Sequence, residues 1–149
     1  MGNPKRILSV DVPGGREGGY VLANHTELYE GSLVCGPILF TPEKSLTSDF
    51  LVLANLLDWA KPQLIILERP FLYQISGYIG GIMMACAERK IGWWQIGPSK
   101  AKKLVLGRGK ASKEDVLKWA REVWKGKGEL TQHSADALLY YEAWREDPK

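Results

Sequence analysis

At 149 residues the chain has the length of one domain, 1–149, large enough to bury a proper hydrophobic core. Hydrophobic content of 45% and charged content of 25% are those of an ordinary globular protein, and the 16 glycines follow no period, which excludes low-complexity and repeat architectures. The net charge of +3 says little about partners as a total.

The opening "MGNPKRILSVDV" has too short an apolar run for a signal peptide. Within it, "RILSVDV" is rich in β-branched residues and bounded by "PGG", the pattern of a buried strand. "GGYVLANHTELYEGSLVC" predicts a hairpin turning at "NHTE", with His25 as a solvent-exposed bystander. "TSDFLVLANLLDWAKP" predicts a helix with Ser48 as N-cap and a proline stop, and "QLIILERP" a second buried strand ending at Glu68. The uncharged stretch "PFLYQISGYIGGIMMACA" carries proline, Gln74, Ser76 and three glycines, so it predicts a buried or interfacial helix rather than a membrane span.

"IGWWQIG" predicts another strand, its two tryptophans on opposite faces and in the core. "PSKAKKLVL" predicts a short helix with proline in its first position, and "SKEDVLKWAREVW" a helix behind a capping box of Ser112 and Asp115. "GKG" then breaks the chain before a last helix in "TQHSADALLYYEAW", which Thr131 or Ser134 caps. The order β, β, β, α, β, α, β, α, α, α predicts an α/β fold: an antiparallel meander, then parallel strands, with helices on the faces of a mixed five-stranded sheet. The two cysteines lie far apart with no CxxC pattern, which predicts buried free thiols in a reducing compartment and a cytoplasmic protein.

Charge is unevenly distributed. Residues 98–128 hold ten Lys or Arg against three Asp or Glu, while the remainder has ten basic and fourteen acidic residues. Two explanations are open: a surface for a polyanion, or a solvated helical region with surplus lysines.

Four residues suggest chemistry. Asp11 and Glu68 end strands that are otherwise almost wholly apolar, where carboxylates are costly unless a cation or partner is near. His133 and Asp136 share one face of the last helix, where an ordinary helix start would also account for them. If that helix crosses the carboxyl edge of the sheet, the four meet and offer ligands suited to Mg²⁺ or Mn²⁺. Two such ions can support in-line displacement at a phosphodiester.

The stretches "ILSVDVPGG", "GYVL", "LIILERPF", "GGIMMACAERKI", "PSKAKKLVLGRGKASKEDV" and "HSADALLYYEA", in this order, resemble the RuvC family of Holliday junction resolvases, within the RNase H-like superfamily. The resemblance implies that Asp11, Glu68, His133 and Asp136 form a catalytic site with two Mg²⁺ or Mn²⁺ ions. It implies that Phe71 meets bases of the junction and that Lys102 and Lys113 approach phosphates, with Lys103, Arg108 and Lys110 on the same DNA-binding surface.

Two departures stand out. The resemblance implies aspartate in many relatives and histidine in others where this chain has His133, which leaves it either a metal ligand or a base for the attacking water. Val12 interrupts the usual D-P-G after the first acid.

The expectation is therefore a structure-selective DNA endonuclease acting on four-way junctions and other branched DNA. It would make paired nicks that leave 5′-phosphate and 3′-hydroxyl ends. The two-fold symmetry of a junction implies a homodimer, with the uncharged helix near Gln74–Ala87 as part of its interface. A ribosomal-RNA-processing nuclease of the same superfamily and a catalytically silent junction-binding protein are the alternatives.

Overall fold

The computed structural model describes residues 4–12, 17–24, 32–40, 46–69 and 73–147. Five strands, β1 (Arg6–Asp11), β2 (Glu17–Asn24), β3 (Ser32–Leu39), β4 (Leu64–Glu68) and β5 (Gly92–Ile96), form one mixed sheet in the order β3-β2-β1-β4-β5. β1, β2 and β3 pair antiparallel, whereas β4 and β5 join β1 in parallel. Five helices complete the order expected from the sequence: α1 (Leu46–Ala60), α2 (Tyr73–Glu88), α3 (Pro98–Leu106), α4 (Lys113–Val123) and α5 (Gln132–Glu146).

The two-residue period of the strands divides the core into two layers. Leu8 and Val10 of β1, with Ile65 and Leu67 of β4, pack with Leu53 and Leu57 of α1 and Ile82 and Ala85 of α2. Ile7 and Ile66 turn to the other face, beneath Ala101 of α3, Val116 and Ala120 of α4 and the apolar side of α5. Ser9 shares that second face, and its buried hydroxyl donates to the Ala137 carbonyl of α5 at 2.6 Å. By the same alternation Asp11 and Glu68, the last residues of their strands, turn to the α5 face.

Helix boundaries follow their local chemistry. α3 starts with Pro98 and ends at Gly107, whose φ of 78° is the left-handed conformation glycine supplies. Ser112 and Asp115 form the expected capping box of α4, and Thr131 and Ser134 form one for α5. α1 begins at Leu46, so Ser48 stands inside its first turn and is not its N-cap.

Two other expectations need correction. Trp94 packs against the α5-side core, but Trp93 is 45% exposed, because β5 is an edge strand and only part of its face is covered. "GKG" does more than break a helix: Lys127 pairs with the outer edge of β3, accepting from the Cys35 N–H and donating to the Leu33 carbonyl, both at 2.9 Å. Side chains at Gly126 and Gly128 would collide with the β3 backbone, so the two glycines let this segment cover an otherwise open strand edge.

Cys35 and Cys86 are buried free thiols, as expected. No helix among the described residues is long and apolar enough to cross a membrane. The hairpin turn with His25 lies outside the described residues.

Candidate active site

β1 and β4 run parallel with Val10 beside Leu67, so the next residues along, Asp11 and Glu68, are neighbours at the carboxyl edge of the sheet. α5 crosses this edge, and its first turns carry His133, Asp136 and Tyr140, spaced three and four residues apart along one face. His133 Nδ1 lies 3.0 Å from Asp11 Oδ2, and the Tyr140 hydroxyl donates to Glu68 Oε2 at 2.9 Å. The last helix therefore touches both strand-end acids. The four candidate residues, drawn from three separate segments, are brought to one place.

What lets α5 come so near is a residue that sequence reasoning passed over. Gly19 of β2 stands beside Asp11 in the β1–β2 register, beneath the start of α5. A Cβ there would lie 2.5 Å from the His133 carbonyl carbon and 2.8 Å from Ser134 Cα. Both are backbone atoms, so nothing short of moving the helix makes room. A glycine inside a strand is a signal of close backbone approach, and "GGYVL" carried it. Gly19→Ala is expected to cost about 3 kcal/mol of stability and to impair the site, since overpacking here displaces His133 itself. A urea melt with an unchanged midpoint would show that α5 does not rest on Gly19.

Electrostatics mark this edge as crowded with negative charge. Burial, and then the charge of Asp11, push the Asp136 carboxyl up to about 7, while His133 and Lys102 restrain the rise. Burial and Asp11 also raise Glu68, against the hydrogen bond from Tyr140. His133 is raised above the usual imidazole range, first by its bond to Asp11, against desolvation. Tyr140 is held far above the phenol range by burial and by the surrounding carboxylates, so it stays a neutral donor.

Three carboxylates and an imidazole at one partly buried edge suit a hard divalent cation, which would relieve the repulsion that drives these shifts. Asp11, Glu68 and Asp136 are the oxygen donors that fit, and His133 adds a nitrogen. Among the described residues no three such side chains stand close enough together to enclose an ion as they are. Asp11 is engaged by His133 and Glu68 by Tyr140.

The basic segment borders this edge. Lys102 of α3 acts electrostatically on Asp136, and the Lys113 carbonyl at the start of α4 accepts from Gln132 Nε2 at 3.2 Å, next to His133. Lys103, Lys110 and Lys113 are exposed, and Lys102 is half-buried. Arg108 makes a surface ion pair with Asp115 at 3.3 Å, which contributes little. Phe71 lies outside the described residues.

No family model matches the chain. A crossover junction endodeoxyribonuclease RuvC from Prochlorococcus marinus is 34% identical over 122 residues, covering 75% of this chain and 77% of that protein. The chain belongs to the RuvC family of crossover junction endodeoxyribonucleases. Solved structures agree in fold. Thermus thermophilus RuvC in complex with a Holliday junction substrate matches with a TM-score of 0.74 at 18% identity, covering 95% of this chain and 93% of that one. The fowlpox virus Holliday junction resolvase matches with a TM-score of 0.62 at 13% identity, covering 95% and 97%. The mixed sheet and its helices thus have the RNase H-like arrangement expected of a RuvC-family chain.

Proposed function

We propose that this RuvC-family enzyme resolves four-way DNA junctions by paired, symmetric nicks, using one domain of residues 1–149. The observation that carries the proposal is the meeting of Asp11, Glu68, His133 and Asp136 on one face of one sheet edge, beside a basic segment. Hydrolysis that leaves a 5′-phosphate breaks the bond between phosphorus and the 3′-oxygen. The attacking water must lose a proton, and the departing oxygen must gain one.

Asp11, Glu68 and Asp136, with His133, would hold two Mg²⁺ or Mn²⁺ ions. Such ions supply Lewis-acid stabilisation of the attacking and leaving oxygens. The chain's own contribution is to fix the donors. Parallel pairing aligns Asp11 with Glu68, while Ser9 and Gly19 seat α5 on the sheet so that Asp136 enters the same space. His133 is oriented by Asp11 through Nδ1, which leaves Nε2 to act as a ligand or as the base that takes the water's proton.

Two-fold junction symmetry favours a homodimer that presents two such sites to opposed strands. The layer of α1 and α2 exposes Leu51 (56%) and Met84 (70%), apolar surface consistent with an interface there. Within the helix proposed for that interface, Ile82, Ala85 and Cys86 face the core instead.

The test is cleavage of a synthetic four-way junction in Mg²⁺, beside a linear duplex and a structured RNA. Symmetric nicks in the junction that a ligase can seal are expected. Preferential cleavage of the RNA would replace the proposal with an RNA-processing role, and binding without nicks would replace it with a silent junction-binding one.

The DNA surface has its own check. Changing Lys102 and Lys113 together to Ala is expected to weaken binding to junction and duplex alike. The log–log salt slope should become shallower by about 2, because each phosphate left unneutralised keeps its counterion. An unchanged slope would place the phosphate-binding surface elsewhere.

A further inference from the structure

We infer that Tyr140 is a positioning residue for the metal site: its hydroxyl holds the Glu68 carboxylate in place for a cation. This inference rests on the nuclease proposal and deepens it.

Tyr140 is 4% exposed, and a buried phenol needs a hydrogen-bond partner. Its partner is Glu68 Oε2 at 2.9 Å. The two strand-end acids are thereby treated alike. Asp11 is bonded by His133, seven residues before Tyr140 on the same face of α5, and Glu68 by Tyr140 itself. Asp136 lies between these two donors in the helix.

An α5 that supplied only ligands would leave Glu68 half-buried beside Asp11, repelled by it and free to turn. The hydrogen bond from the phenol fixes its orientation while no cation is bound. It occupies one oxygen of Glu68, leaving Oε1 as the oxygen available to an ion. Because the donor is neutral, it orients the carboxylate without competing as a positive charge. A lysine in its place would neutralise the site that the cation must enter. Phenylalanine would fill the same volume and leave Glu68 unheld.

The experiment compares the parent, Tyr140→Phe, Glu68→Gln and the double variant by calorimetric titration of the folded protein with Mn²⁺, without DNA. Junction cleavage is then measured over a range of metal concentration. Tyr140→Phe is expected to weaken Mn²⁺ binding about tenfold, equivalent to about 1.4 kcal/mol. Cleavage should require about tenfold more metal for half-maximal rate, with a rate at saturating metal within about twofold of the parent. In the Glu68→Gln background the same substitution should change metal affinity no further, since the carboxylate it positions is already gone.

Equal affinities in the parent and Tyr140→Phe, or an equal loss in both backgrounds, would reduce Tyr140 to a packing residue and overturn the inference alone. A parent that bound no Mn²⁺ would overturn the metal site of the proposed function along with it.

Should Tyr140→Phe fail to fold, the near-UV absorption of the parent decides. Adding Mg²⁺ is expected to produce a tyrosine difference band that Glu68→Gln lacks. Its absence in the parent would equally overturn the inference.

Discussion

Asp136→Asn gives a protein that melts higher than its parent in the absence of metal and no longer cuts junctions. Burial and the nearby Asp11 push the Asp136 carboxyl up to about 7 in the folded chain. In the unfolded chain it titrates near its ordinary ~3.9. Between those values the folded protein holds a proton that the unfolded chain has released. The stability contribution is therefore fully present below about 4 and is lost as pH rises through about 7. Asparagine has the same shape and cannot ionise, so it escapes the loss. At pH 8 in a chelator the variant should be more stable by about 2 kcal/mol, after discounting for solvent screening of a partly exposed group.

Mg²⁺ should raise the melting temperature of the parent, because it binds the folded state, and should leave the variant nearly unmoved. Cleavage should fall by about a thousandfold or more, as expected when one of three carboxylates holding the charge is neutralised. The combination is diagnostic: a residue kept only to start a helix would lose stability on substitution, not gain it. Equal melting curves in chelator, with cleavage retained, would remove Asp136 from the site.

How much of this was legible in the sequence depended on whether the signal was local. α3 runs from Pro98 to Leu106 as expected, because proline at its start and Gly107 after its end act on their own backbone. The capping boxes at Ser112 and Thr131 are equally local. Ser48 misled because capping pairs a side chain with a helix start, and α1 had already begun at Leu46.

Trp93 was misplaced for a different reason. Alternation assigns a tryptophan to a face, but only the full strand order shows that β5 is an edge whose face is incompletely covered. The lysine of "GKG" was likewise unreadable as a pairing residue, since its partner, β3, lies some ninety positions away in sequence.

The acids fall between these cases. Asp11 and Glu68 were conspicuous as charges ending apolar strands, yet their adjacency is a matter of parallel register that no residue announces. Tyr140 was readable in principle, four residues beyond Asp136 on the same helical face. Aromatic residues in the "LLYYEAW" run look like core, and Tyr140 is core along most of its ring. Its hydroxyl acquires a role only when Glu68 is placed against it. Gly19 is the reverse: its contribution is the absence of a side chain, visible only once α5 is seen resting there.

His133 is where sequence and structure together sharpen an expected result. The family resemblance implies aspartate at this position in many relatives, so His133→Asp supplies the carboxylate ligand expected there. The structure adds a cost: His133 Nδ1 is hydrogen-bonded to the Asp11 carboxylate at 3.0 Å, and a second carboxylate in its place would repel Asp11 until a cation arrives. His133→Asp is therefore expected to keep substantial activity at saturating Mg²⁺ while needing more metal to reach it. His133→Ala supplies neither ligand nor base and should lose about a thousandfold, the usual scale of a lost general base.

The pH profiles separate the two roles. As a base, His133 must be neutral, and Asp11 holds its proton more firmly than usual, so the parent's activity should climb through an apparent pKa above ~6.5. In His133→Asp that limb should move toward acid, because the new side chain ionises well below it. If His133 serves only as a ligand, the limb does not report its ionisation and stays where it is in His133→Asp. The measurement is single-turnover cleavage of one junction across pH in Mg²⁺ and in Mn²⁺. Parental rates in His133→Ala would return this histidine to the start of a helix and nothing more.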